Sequence, residues 1–173
     1  ESIRLAEEAG NAIFKYLERA YNNGSDMEAR EEMLKASFKA GFAFTRAGVG
    51  NVHAIAHTMG GIYGTPHGLA NAVILPIVLE DYGEAVYKKL AHLAEISGVA
   101  RTGSDEEKAK AFIAEIYAMN KRMGIPEGLH VEEKDIPQMV EWALAEANPT
   151  YPVPVLYDEA RCAAVIRRIN ERA

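Results

Sequence analysis

The chain has 173 residues, 49% of them apolar and 25% charged, a composition that supports a globular domain with ample chain to bury a core. A net charge of −6, a pI near 5.4 and the lack of any basic stripe argue against nucleic acid as a partner. No apolar run approaches the roughly 20 residues that span a bilayer, no signal peptide is evident, and a single cysteine, Cys162, rules out an internal disulfide and points to the cytoplasm.

Glu1-Ser-Ile-Arg-Leu-Ala opens in the middle of an amphipathic pattern, which predicts a fragment of a longer chain. Apolar residues at Ile3, Ala6, Gly10, Ile13, Leu17 and Ala20 share one helical stripe over residues 1–21, ended by Asn22-Asn23-Gly24. Ser25 with Glu28 has capping-box spacing and predicts a second helix through Met33, Leu34, Ala40 and Phe44. Residues 51–62 form a third helix. Residues 67–81 are apolar on nearly every side, a buried helix or a buried strand. Their length and the Pro66 start favour helix, with Pro76 as a point of kinking. This segment is the expected centre of the core.

Residues 83–97 (Val86, Leu90, Leu93, Ile96) are amphipathic and closed by Gly98. Ser104 with Glu107 caps the next helix, which stops at Gly124-Ile-Pro126. Asp135 caps a helix with Pro137 in its first turn, and Asn148 to Pro154 is a proline-stiffened, extended connector. A final helix runs from Asp158 to about Arg172, its arginines forming a solvated face. With no alternating strand pattern, the fold class is all-α, seven to eight helices in one helical domain over residues 1–173.

Three of the five histidines, His53, His57 and His67, lie in the glycine-rich stretch from Gly48 to Asn71. On a helix, His53 and His57 are i and i+4 neighbours about 6 Å apart, and His67 follows a Gly64-Thr-Pro-His-Gly turn. Imidazoles converging from two helix ends suit a metal. The glycines at 48, 50, 60, 61, 64 and 68 are expected to let other groups approach closely. His53-Ala-Ile-Ala-His57 lacks the glutamate of a zinc protease. Gly48-x-Gly50 follows a helix rather than a strand, so it is not a dinucleotide fingerprint. His92 and His130 are expected to be packing or surface residues, and Cys162, Trp142 and Tyr151 to be packing residues.

The run from Gly50 through His53, His57, Thr65-Pro-His-Gly68 and Asn71 to Pro76 closely resembles the signature of the iron-containing alcohol dehydrogenases. The likeness continues through Glu80-Asp-Tyr82, Gly124-Ile-Pro126 and Asn148-Pro149, and covers essentially the whole chain as the family's helical carboxy-terminal domain. The resemblance implies an NAD(P)-dependent dehydrogenase of small alcohols and aldehydes with one divalent metal, Fe2+ or Zn2+. It assigns His53 and His67 as metal ligands, His57 as a non-ligand histidine beside the nicotinamide on the proton path, and Phe44 as a lining of the substrate pocket. It also implies that an aspartate and a further histidine ligand, in an Asp-x-x-x-His motif, lie just ahead of residue 1, beyond them a nucleotide-binding domain. The isolated chain is then expected to bind metal poorly, to be inactive and to expose an apolar patch, with a homo-oligomer at full length. Two rival readings are a non-catalytic helical assembly module and a polyol or hydroxyacid member of the same fold; Thr65-Pro-His-Gly68 favours the alcohol branch.

Overall fold

A computed structural model describes the backbone of residues 1–173 and every side chain except that of Pro149. The order is α1 (Ser2–Asn22), α2 (Met27–Ala47), α3 (Gly50–Tyr63), α4 (His67–Tyr82), α5 (Glu84–Ser97), α6 (Asp105–Arg122), a 3₁₀ turn (Glu133–Asp135), α7 (Ile136–Thr150) and α8 (Glu159–Glu171). No strand occurs among the described residues, as the all-α expectation requires. The chain divides into two compact units, Glu1–Gly48 with Tyr87–Glu115, and Val49–Val86 with Ile116–Ala173.

In the first unit α1 and α2 form a long antiparallel hairpin. Its buried residues are Ala9 and Tyr16 on α1 and Ala29, Ala36 and Ala43 on α2, spaced by sevens. This corrects the expected stripe: Ile3 and Leu34 are 76% and 73% exposed, because alanines and the one tyrosine occupy the seam and these two side chains are turned out. The start of α2 is also corrected. Asp26, not Ser25, is the cap, its carboxylate accepting from the Ala29 N–H at 3.0 Å, while Asn23 Oδ1 takes the Ser25 N–H. On α6 the capping box forms as expected, with Glu107 accepting from the Ser104 N–H at 2.7 Å and Ser104 Oγ accepting from the Glu107 N–H. Phe14 and Phe112 pack with ring centroids 4.9 Å apart. His92 is a surface residue paired with Glu7 at 2.9 Å.

The second unit is built on α4. Val73, Ile74, Ile77 and Val78 are almost wholly buried, so the apolar run is a helix, with Pro76 inside it. Helices α3 and α8 pack on it, and α7 packs on both α3 and α8. Buried Ile55, Met59, Met139, Val165, Ile166 and Ile169 complete the core. The arginines of α8 do more than meet solvent: Arg161 pairs with Asp81, Arg167 with Glu133, and Arg168 and Arg172 both reach Glu80. Asp135 stands at the N-cap of α7 but makes no side-chain cap; the Tyr63 hydroxyl claims its carboxylate at 2.8 Å. The helix also runs on to Thr150, so extended backbone begins at Tyr151 rather than at Asn148. The bond from Asn148 Nδ2 to the Tyr157 carbonyl ties the ends of this connector together.

The loop before the 3₁₀ turn rests on the end of α8, with the Leu129 N–H donating to the Ile169 carbonyl. A Cβ at Gly128 would overlap the backbone of Ile169 and Arg172. Gly128→Ala should therefore destabilise the fold by about 1–3 kcal/mol in urea unfolding, since neither backbone can yield cheaply. Cys162 is 1% exposed, and burial pushes its thiol up to about 12. The folded chain should not react with a thiol reagent at pH 8, and one equivalent should react once denaturant is added.

Candidate metal centre

The turn from α3 to α4 sets the geometry. Gly64 ends α3 in the left-handed region at φ 66°, where a side chain would be strained, and its N–H donates to the Gly60 carbonyl. Pro66 then stands at the N-cap of α4, so the chain reverses within three residues and His67 begins the new helix. The three histidine rings meet as the sequence pattern predicts. Centroids are 5.9 Å apart for His53 and His57, 5.2 Å for His53 and His67, and 5.3 Å for His57 and His67, the last pair stacked at 21°.

Two imidazoles bound to one tetrahedral ion through metal–nitrogen bonds of about 2.1 Å bring their ring centres about 5 Å apart. The His53–His67 spacing meets this requirement. His53 is held below the usual histidine range, first by burial and then by His67 and His57, so near neutral pH it is the uncharged form that a metal needs. Beside His67, Asn71 Nδ2 donates to the His67 carbonyl at 2.9 Å, while its Oδ1 is buried with no partner among the described residues. His53 and His67 thus fit as two nitrogen donors of a divalent ion. Among the described residues, however, no three His, Cys, Asp or Glu side chains are placed to hold an ion together.

His57 is engaged differently. Its Nδ1 lies 2.9 and 3.0 Å from the two carboxylate oxygens of Glu146 on α7, and the Tyr151 hydroxyl donates to Glu146 Oε1 at 2.8 Å. Sequence reasoning missed Glu146 and assigned Tyr151 to packing. Nothing in the local pattern pairs residues 89 apart. The glycines behave otherwise than expected: the nearest atoms to a Cβ at Gly60 and Gly61 would be at 3.7 Å, ordinary contact, and none lies within 4 Å at Gly64 or Gly68. Trp142, expected to pack, is 46% exposed, although its ring is the one facing Gly61. Phe44 belongs to the first unit, where it is 48% exposed and borders a groove of about 400 Å³ with Ile3, Ala6, Ile13 and Ala40. His130 is bonded to Glu132 at the surface.

A turn-linked pair of helices thus presents three histidines on a scaffold that is helical throughout the described residues. Residues 3–169 match the Fe-containing alcohol dehydrogenase family, C-terminal, and the chain belongs to that family. It is 41% identical to 1,3-propanediol dehydrogenase of Klebsiella pneumoniae, over 94% of this chain and 43% of that protein. It is 38% identical to NAD-dependent methanol dehydrogenase of Bacillus methanolicus, over 84% of this chain and 40% of that one. The crystal structure of a 1,3-propanediol oxidoreductase superposes with a TM-score of 0.92 at 40% identity, covering 97% of this chain and 45% of the other. The chain therefore spans less than half the length of the relatives it matches. No described helix is long and apolar enough to cross a membrane.

The depressed pKa of His53 has a sign that can be measured. The unfolded chain binds this proton more tightly, so stability rises with pH through the window between the folded value and the ordinary value of about 6.5. The contribution is complete above that ordinary value and lost as pH falls through the folded one. Histidine-resolved NMR should give His53 a midpoint below 6.5 in the folded chain.

Proposed function

We propose that this chain is the metal-binding half of an NAD(P)-dependent dehydrogenase that interconverts small alcohols with aldehydes or ketones. The observation that carries this reading is the approach of the His67 ring to 5.2 Å from His53 across the α3–α4 turn, in a family whose members include propanediol and methanol dehydrogenases. His53 and His67 supply two nitrogen donors. The remaining donors, an aspartate and a histidine, and the NAD or NADP site come from a nucleotide-binding domain and its following helix in the full-length protein. Bound at this centre, Fe2+ or Zn2+ supplies Lewis acidity toward the substrate oxygen.

The chain's own residues do the rest. His57 stands beside His67 and accepts the hydroxyl proton as the substrate's carbon loses hydride to the nicotinamide. His67 opens α4, whose buried body from Ala70 to Tyr82 anchors the backbone that carries its ring.

A second reading, a non-catalytic helical assembly module, draws on the exposed Leu34, Phe38 and Phe42 of α2. The two readings part on metal. In the full-length protein His67→Ala should lose most of its bound metal and lower alcohol oxidation by more than about 100-fold, since even residues behind a metal's ligands are worth 10–100-fold. Unchanged metal content and turnover would sink the dehydrogenase reading. The 173-residue chain alone should bind metal weakly and show no turnover.

A further inference from the structure

An imidazole that accepts a proton has to present the correct nitrogen. The neutral ring carries its hydrogen on either Nδ1 or Nε2, and whatever engages one nitrogen decides the role of the other. For His57 the engaging group is on the page. Both oxygens of the Glu146 carboxylate lie within 3.0 Å of Nδ1, and an ionised carboxylate can only accept. Nδ1 must then carry the hydrogen, and Nε2 is the bare acceptor.

The carboxylate is itself held. Tyr151, the first residue past α7, anchors its N–H on the Ala147 carbonyl and turns its hydroxyl back to Glu146 Oε1 at 2.8 Å. The neighbouring carboxylate raises the Tyr151 pKa, which keeps this hydroxyl a donor. On its other side the His57 ring is stacked on His67 at 21°. Glu146 thus sets the tautomer, and the stacked His67 adds to it in setting the ring plane, with partners on α4, α7 and the connector after α7. A plain surface ion pair would be worth little and would need no third partner. Here the third partner comes from the stiffened segment Tyr151 to Pro154.

We propose that Glu146, oriented by the Tyr151 hydroxyl, is the positioning residue that sets His57 with Nδ1–H toward α7 and bare Nε2 as the proton acceptor. This rests on the reading of His57 as the group that takes the substrate's hydroxyl proton. In alcohol oxidation the O–H bond breaks, its proton goes to Nε2 and the C–H bond gives hydride to the oxidised nicotinamide. The carbonyl double bond forms as the alcohol is oxidised by two electrons. The imidazolium then donates through both nitrogens, one of them to Glu146.

The test has two readouts. Long-range proton–nitrogen NMR of this chain, at a pH where His57 is neutral, should show Nδ1 protonated and Nε2 bare. In Glu146→Ala the ring should revert to the Nε2–H tautomer that free histidine favours. Glu146→Gln, whose amide oxygen still accepts, should keep the Nδ1–H form, and Tyr151→Phe should give a mixture. In the full-length enzyme, Glu146→Ala should lower kcat for alcohol oxidation at least tenfold with KM within about twofold, and Glu146→Gln should restore most of it. If the tautomer is unchanged in Glu146→Ala, the positioning role is overturned whatever happens to activity. If the tautomer switches and kcat does not fall, the positioning stands and the proton-acceptor role of His57 is overturned instead.

Discussion

The site depends on one reversal of the backbone, the three residues Gly64, Thr65 and Pro66 between α3 and α4. Without the left-handed Gly64 the end of α3 could not turn, and without that turn His67 could not meet His53 and His57. The turn is worth something only because both flanking helices are well buried. α4 is buried on most of its surface, and α3 is buried at Ala54, Ile55, Ala56, Thr58 and Met59. The histidines are therefore carried on the best-packed elements of the second unit, which is where a metal site gains its precision.

The three rings sit in different electrostatic surroundings. His53 is desolvated and close to two other imidazoles, so it resists protonation, as the proposed ligand role requires. His57 has a carboxylate on Nδ1, which occupies that nitrogen and leaves Nε2 as the one free to accept a proton in the proposed reaction. His67 owes its place to the helix start and to Asn71, one turn on, which bonds its carbonyl. Identical side chains a few ångströms apart thus meet different neighbours, and the proposed division into a donor pair and a proton carrier follows those neighbours.

Much of this was legible in the sequence, and the parts that were not share a cause. Helical period, the Gly64 stop, the Pro66 start and the spacing of His53, His57 and His67 are local signals, and each appears in the structure. Glu146 was invisible because its meaning arises only when α7 lies against α3. The Asp135 cap failed for a similar reason: Tyr63, far away in sequence, claims its carboxylate. On α2 the apolar pattern misled because the helix buries its alanines at 29, 36 and 43, leaving Leu34 outside. Local rules weigh a leucine above an alanine, while a close helix pair prefers the reverse.

That alanine seam has a consequence for how α1 finds its place on α2. Ala29, Ala36 and Ala43 repeat each heptad, so sliding α1 by two turns would offer it almost the same surface again. Tyr16 breaks this degeneracy, being the large side chain among the buried residues of the hairpin, with Lys15 and Arg19 cations 4.8 and 5.2 Å from its ring. It acts as a detent: a single bulky tooth in an otherwise smooth rack, deciding which of several near-equivalent alignments is the native one.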